Sequence, residues 1–367
     1  MIRILALNLI FGLYISYRIY RAFFGRFKIY FAMPVIFVFA QLFFVLKLIT
    51  TLTGVYIPDG LMTVSYIMLG LAVYALVYFL IFDILWLLRV RIKFIHKSRQ
   101  RVGLIVAALT FATFAYGYYH HLDTQITYYN LDINKPLKEP LKIAVISDIH
   151  IGSGMTAERL EKYADTINSL NPHIILVAGD IIDSDLRALT DEFRVALNKL
   201  DAPMGVYGVL GNHEYFSGNI DDVVSALEDS GIKILKDETV FFEDKGVYLM
   251  GRDSMRHSVS KGNERMAVPQ LAEQIDNTKP VIIMDHIPKN ITDGKELQAD
   301  LQISGHTHGG QFFPITEIVK QIYPIGYGYL KDGDFNLIVT SGLGLWGPPM
   351  RVGSDSEIVF VTISGKQ

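Results

Sequence analysis

Ser147-Asp148-Ile149-His150 follows an apolar run, Ile143-Ala144-Val145-Ile146, and precedes Gly152-Ser153-Gly154. The apolar run has the character of a buried strand. The glycines after it make the chain turn. Asp148 and His150 therefore belong on a loop at the carboxyl end of a strand, the edge where open α/β sheets bind ligands. One residue separates the carboxylate from the imidazole, so in extended backbone both side chains point the same way. A hard oxygen and a borderline nitrogen converging on one point suit a divalent metal. By itself the pair is a weak signal, and the plainer reading is a turn aspartate beside a surface histidine.

The pattern recurs four times downstream. Ile174-Ile175-Leu176-Val177-Ala178 ends in Gly179-Asp180, and Val206-Tyr207-Gly208-Val209-Leu210 ends in Gly211-Asn212-His213-Glu214. Val281-Ile282-Ile283-Met284 ends in Asp285-His286, and Leu301-Gln302-Ile303-Ser304 ends in Gly305-His306-Thr307-His308-Gly309-Gly310. Each predicted strand end delivers Asp, Asn or His, and flanking glycines let the backbone turn sharply beside a ligand. In order and chemistry these blocks, from Asp148 to about Gly310, resemble the calcineurin-like metallophosphoesterases. The glycines and Gln311 after the histidine pair look like the bacterial members that carry amino-terminal membrane spans. The resemblance covers about Leu141 to Ile363.

Composition accounts for the rest of the chain. Its 367 residues make two domains the expectation. Half of the residues are apolar and the net charge is -3, so nothing in the balance favours nucleic acid as a partner. The absence of cysteine excludes disulfides, thiolate metal sites and cysteine nucleophiles.

The apolar excess lies at the front. Uncharged runs at Ile4–Tyr17, Ile29–Leu46, Leu61–Phe82 and Val102–Tyr119 predict about four membrane spans, roughly 4–24, 29–52, 61–88 and 102–119. A hydrocarbon core of about 30 Å needs roughly 20 residues. The first run could instead be the core of a signal peptide, but no small-residue cleavage site follows it. Arg18, Arg21, Arg26 and Lys28 lie between the first two runs, and Arg89, Arg91, Lys93, Lys97, Arg99 and Arg101 between the last two. The intervening loop carries only Lys47 and Asp59. Basic loops stay cytoplasmic, which predicts a multi-pass protein of the cell membrane with an extracytoplasmic catalytic domain. Asp83 reads as an interfacial or helix-pairing group rather than a transport site.

Residues 121–367 form the predicted catalytic domain. Strands are expected at Thr124–Ile133, at the five ligand runs, at Thr239–Phe242 and at Val247–Met250. Phe335–Thr340 and Glu357–Thr362 are expected to close a sheet. Helices are expected after Thr156, over Asp185–Leu200 and over Ile220–Leu227. Alternating strands and helices argue α/β. The resemblance sharpens this to an αββα two-sheet sandwich preceded by an all-α transmembrane region of four helices.

The resemblance also implies the chemistry. Two divalent ions would share Asp180. One would take Asp148, His150, Asp180 and His308, and the other Asp180, Asn212, His286 and His306. The implied reaction is attack of a metal-bridging hydroxide on a phosphoester or pyrophosphate, with His213 as general acid and Asp180 as the bridging carboxylate. Asp, Asn and His accept Mn²⁺, Fe or Zn²⁺ alike. Glu214 either orients His213 or is a surface carboxylate, and Asp285 either supports His286 or merely ends a strand. Arg351 either contacts phosphate or is structural. His173 reads as structural. A second reading keeps the fold as an inactive membrane sensor or scaffold. Finally, Phe312, Phe313, Ile315, Ile318, Val319, Ile322 and the tyrosines up to Tyr329 follow the histidine pair. They either pack on the sandwich or form an apolar lip for a lipid or lipid-linked substrate.

Overall fold

The computed structural model describes every residue except 1, 54, 56, 91–97, 153, 184, 218, 255–264, 290 and 367. Arg91, Lys93 and Lys97 of the last basic loop lie outside the described residues. The chain divides into two compact units, residues 1–120 with 347–350, and residues 121–346 with 351–367.

The first unit is helical: α1 (Ile2–Ile19), α2 (Ile29–Ala40), α3 (Leu42–Thr53), α4 (Asp59–Leu87) and α5 (Arg99–His120). A π-helical turn, Tyr20–Phe24, extends α1. Among the described residues, two helices are long and apolar enough to cross a membrane, Gly60–Leu87 and Arg99–His120. The predicted span 29–52 is a pair of helices bent by 71°, so the count is two, or three if that pair is one span, where four were expected. The break falls at Gln41, whose backbone leaves helical geometry at φ -111°, ψ 15°. A buried amide among apolar side chains needs a partner, and the Asn8 side chain donates to Gln41 Oε1 at 2.7 Å. Asp83 is a helix-pairing group: Arg18 forms an ion pair with it and the Tyr14 hydroxyl donates to it.

The second unit holds two six-stranded mixed sheets. In chain order its elements are β1 (Thr124–Pro136), β2 (Leu141–Ile146), α6 (Ala157–Ser169), β3 (Ile174–Val177), α7 (Asp191–Asn198) and β4 (Val206–Gly208). They continue with α8 (Ile220–Glu228), β5 (Lys233–Ile234), β6 (Glu238–Phe242), β7 (Val247–Gly251), α9 (Val268–Ala272) and β8 (Val281–Met284). The last are α10 (Ile291–Glu296), β9 (Leu301–Ser304), α11 (Ile315–Ile322), β10 (Gly328–Asp332), β11 (Phe335–Val339) and β12 (Ser356–Lys366). One sheet has the order β1-β12-β2-β3-β4-β5 and the other β10-β11-β9-β8-β7-β6.

Side-chain alternation assigns each strand two faces. Ile143 and Val145 of β2 join Ile282 and Met284 of β8 in the core between the sheets. Ala144 and Ile146 face outward into a core that includes Leu160 and Ile167 of α6, Leu197 of α7 and Val223 of α8. On the other side, Val281 and Ile283 pack with Leu271 and Leu337. Thr156 caps α6 as expected, its hydroxyl accepting from the Arg159 amide at 3.2 Å.

Two expectations fail. Asp185–Leu200 is not one helix: a 3-10 turn, Leu186–Ala188, ends at Leu189 and α7 starts after Thr190. The Asp185 carboxylate caps the short turn by accepting from the Arg187 amide, and such local side-chain bonds compete with a continuous helix. Phe335–Val339 and Ser356–Lys366 do not close one sheet either. The former lies inside the second sheet beside β9. The latter lies inside the first, parallel to β1 and antiparallel to β2.

Candidate metal centre

Parallel pairing aligns the strand ends that carry the chemistry. β2, β3 and β4 run parallel in the first sheet, and β8 and β9 in the second. Their carboxyl ends lead to Asp148, Asp180, Asn212, His286, and His306 with His308.

The loops leave strand geometry at once. Asp148, His150, Asp180, His306 and His308 have φ of 54°, 50°, 51°, 70° and 50°. Non-glycine residues in this left-handed region cost of order 1–3 kcal/mol each and cluster at functional sites. Asp148 and His150 therefore converge through two left-handed residues, not through the alternation of an extended strand. His306 and His308 likewise do not share a face. His308 gathers with Asp148 and His150, and His306 with Asp180 and His286.

Close approach of the loops explains one glycine. A Cβ at Gly211 would lie 2.0 Å from Asp180 Oδ1. The Asp148 amide donates to the Gly179 carbonyl, and the His150 amide to the Asp180 carbonyl, so the first two loops are laced together.

Distances define the centre. His308 Nε2 lies 3.3 Å from Asp148 Oδ1 and 3.1 Å from His150 Nε2. His286 Nε2 lies 3.1 Å from Asp180 Oδ2, which is also 3.9 Å from His150 Nε2. Asp180 thus reaches both clusters. The other Asp180 oxygen accepts the His213 amide at 2.8 Å. Asn212 Oδ1 is buried and makes no hydrogen bond among the described residues. An orphaned buried acceptor costs about 1–3 kcal/mol, and a cation beside it removes that cost. Two imidazole nitrogens facing each other at 3.1 Å also suit a shared cation. The residues fit a dinuclear divalent centre.

Charge states agree with that use. Burial pushes His306 and His308 down to about 4, leaving neutral imidazoles with lone pairs to give. Burial also acts downward on His286, but the Asp180 carboxylate outweighs it and lifts the group to about 10. A proton or a metal cation satisfies the same pair. Burial disfavours ionised Asp148, yet His308, His286 and His150 hold its carboxyl well below the usual range.

His213 lies beside the cluster, its ring 4.6 Å from that of His150. Its Nδ1 is 3.0 Å from the Asp183 carboxylate and contacts the Asp183 carbonyl. Burial works downward on His213, but Asp183 and Asp180 together push it up to about 9. Asp183 also sits 3.3 Å from His150 Nδ1, so one carboxylate orients both rings. The sequence reading missed Asp183. Its signal was the Asp180-Ile181-Ile182-Asp183 spacing, which follows the strand end by too few residues for anything but a turn.

Glu214 is neither a surface group nor a partner of the His213 ring. Fully buried, it accepts the amides of Asp180, Ile181, Ile182 and Gly211 at 3.1, 2.7, 2.9 and 2.7 Å, pinning two ligand loops together. Asp285 is buried against Arg265 at 2.8 Å, one residue from His286. Arg351 does not face phosphate: it is wholly buried, and its guanidinium donates to the carbonyls of His308, Ser341, Gly342 and Gly344. His173 is structural, its Nδ1 accepting the Lys142 amide at 3.2 Å. Phe312, expected in the apolar lip, is 1% exposed and belongs to the interior.

The calcineurin-like phosphoesterase family model matches residues 141–310. An uncharacterized metallophosphoesterase of Campylobacter jejuni is 32% identical over 241 residues, covering 65% of this chain and 63% of that protein. One of Aquifex aeolicus is 32% identical over 259 residues, covering 68% of this chain and 97% of that protein. A transmembrane protein with metallophosphoesterase domain from Danio rerio is 27% identical over 232 residues, covering 61% of this chain and 53% of that protein. The chain thus spans a little under two thirds of the Campylobacter relative and about half of the Danio rerio one. With four strand ends converging on two His/Asp clusters, and relatives of this identity and coverage, the chain belongs to the calcineurin-like phosphoesterase family of metal-dependent phosphoester hydrolases.

Proposed function

We propose that the protein is a membrane-anchored phosphohydrolase whose metals are held by Asp148, His150, Asp180 and His308 on one side and Asp180, Asn212, His286 and His306 on the other. The observation that carries this reading is Asp180 reaching both clusters, and the orphaned buried oxygen of Asn212, the residue before His213, supports it. Bound divalent cations supply charge neutralisation at the phosphoryl oxygens and activation of water. The chain's own residues do the rest. Asp183 engages His213 Nδ1, so the proton for the leaving oxygen is carried on Nε2. Glu214 fixes the Asp180 and Gly211 loops, which keeps the carboxylate and the imidazole in register. Incubation with p-nitrophenyl phosphate and Mn²⁺, with and without chelator, tests the reading; chelator-insensitive or absent turnover in metal-loaded protein counts against it.

The catalytic domain is extracytoplasmic in this reading. Arg18, Arg21 and Arg99 line one cavity of the helical unit, which supports both basic loops lying on one side. Between them α4 crosses once, so the bent pair α2–α3 must cross once too. With α1 and α5 this makes four spans. A periplasm-only reporter fused after residue 367 should be active; activity from a cytoplasm-only reporter there overturns the topology.

The substrate is a lipid or lipid-linked phosphoester. α11 buries Thr316 and Val319 but presents Ile318 and Ile322, 52% and 61% exposed, beside Phe313 at 45%. The segment continues to Tyr323, whose ring is 5.9 Å from the ring of His306. This stripe supports an acyl-binding lip next to the phosphate site. Burying one such side chain is worth about 1.5–3 kcal/mol, so Phe313→Ser with Ile318→Ser should slow cleavage of a lipid phosphoester by at least about tenfold. Cleavage of p-nitrophenyl phosphate should hold. Equal effects on both substrates sink the lip.

A further inference from the structure

The helical unit contains two neighbouring cavities of opposite character. One, of about 230 Å³, is lined by apolar side chains that include Ile15, Phe39, Leu71, Ala75, Val106 and Ala107. The other, of about 220 Å³, is lined by Tyr17, Arg18, Arg21, Phe79, Arg99 and neighbours. Phe79 borders both. They also meet across the helices: a Cβ on Gly103, which lines the first, would fall 2.5 Å from that of Ala22, which lines the second.

The charge in the second cavity is unbalanced. Residues 1–120 contain two carboxylates, Asp59 and Asp83. Asp83 pairs with Arg18, whose guanidinium also lies 4.9 Å from the centre of the Phe79 ring. Arg21 stacks on Tyr17 at 5.4 Å and donates to its hydroxyl, which holds the guanidinium without neutralising it. Arg99 has no ion pair or hydrogen bond among the described residues. Two cationic guanidinia therefore face one cavity with no counter-charge from this unit. Guanidinium groups suit phosphate through paired N–H donors. Arginine near a membrane surface attracts anionic lipid at about 1 kcal/mol per charge.

We propose that these paired cavities form a binding site for an anionic phospholipid, with its phosphate among Arg18, Arg21 and Arg99 and one hydrocarbon chain in the apolar cavity. The site commits to a lipid rather than to free phosphate, because an apolar chamber adjoining the cationic one gives an inorganic ion nothing to bind. It stands independently of the hydrolytic reading, since none of its residues belongs to the catalytic unit.

The test uses the full chain, reconstituted in nanodiscs of phosphatidylcholine doped with phosphatidylglycerol of the same chains, extracted into mild detergent and weighed by native mass spectrometry. Wild-type protein should retain phosphatidylglycerol at least tenfold over phosphatidylcholine. R21Q/R99Q should abolish that preference, R21K/R99K should keep most of it, and Ala107→Phe should lower retention of the lipid by filling the chain cavity. Unchanged helical circular dichroism and a monodisperse elution profile show that these variants are folded, and R99Q alone replaces the double variant if that one fails to fold. No preference in the wild type, or a preference that survives R21Q/R99Q, overturns the proposal. Complete displacement of phosphatidylglycerol by sodium phosphate overturns the lipid assignment in favour of a phosphate-ion site.

Discussion

Asp180→Ala should abolish turnover and lower the metal content of the purified protein. Asp180 Oδ2 is the carboxylate oxygen that lies 3.1 Å from His286 Nε2 and 3.9 Å from His150 Nε2, so its removal takes a ligand from both clusters at once. Two neighbouring cations without an anion between them repel strongly in a buried site. The Asp180 Oδ1 bond to the His213 amide is lost as well, which frees the turn carrying His213. The charge stabilisation removed amounts to several kcal/mol, so the rate should fall by at least about 10³-fold. Elemental analysis and a phosphatase assay on the same preparation decide the matter. Two ions per chain together with wild-type turnover in the variant would show that the centre has been assigned wrongly.

His213→Asn should leave the metals in place and reduce kcat. A general acid typically contributes about 10²–10⁴-fold. The loss should be large for an alkyl phosphoester, whose alkoxide needs a proton to depart. It should shrink for p-nitrophenyl phosphate, whose leaving group is stable as an anion. This pattern distinguishes proton transfer from a positioning role, because displaced metals or a shifted phosphate would slow both substrates alike. An equal loss across leaving groups, with metal content intact, rules out the acid role. Asp183→Asn should reproduce part of the leaving-group dependence, since Asp183 is 3.0 Å from His213 Nδ1.

Arg351 and Glu214 show where side-chain chemistry alone misleads. A charge near a phosphate site invites the reading of a phosphate clamp, yet Arg351 is buried and its terminal nitrogens donate to the backbone carbonyls of His308, Ser341, Gly342 and Gly344. Burial itself pushes its guanidinium down to about 10. Glu214, adjacent to the proposed acid, turns away from it to collect four amides. Loops with left-handed residues leave backbone N–H and C=O groups without strand partners, and buried ones must be satisfied. These two side chains do that work for the ligand loops.

By itself the sequence determined the parts of this protein that depend on local pattern. Apolar runs ending in glycine and a polar residue mark buried parallel strands and their carboxyl ends, because a strand covered on both faces must be continuously apolar. The same logic marks two of the four predicted spans, which fall on the helices long and apolar enough to cross a membrane, Gly60–Leu87 and Arg99–His120. What only the tertiary structure decided depends on residues far apart in the chain. The bend at Gln41 is accompanied by Asn8 on another helix, 33 residues away. The separation of His306 from His308 follows from two left-handed residues meeting different partners. Asp183 becomes an orienting group only because His150 and His213 arrive on either side of it from separate loops. Phe312 is interior while Phe313 is exposed, a choice made by the packing around that turn rather than by either side chain's hydrophobicity. Pattern records which residues are apolar or charged, but their neighbours are set by the pairing of strands and the packing of helices, and it is neighbours that fix burial, charge state and role.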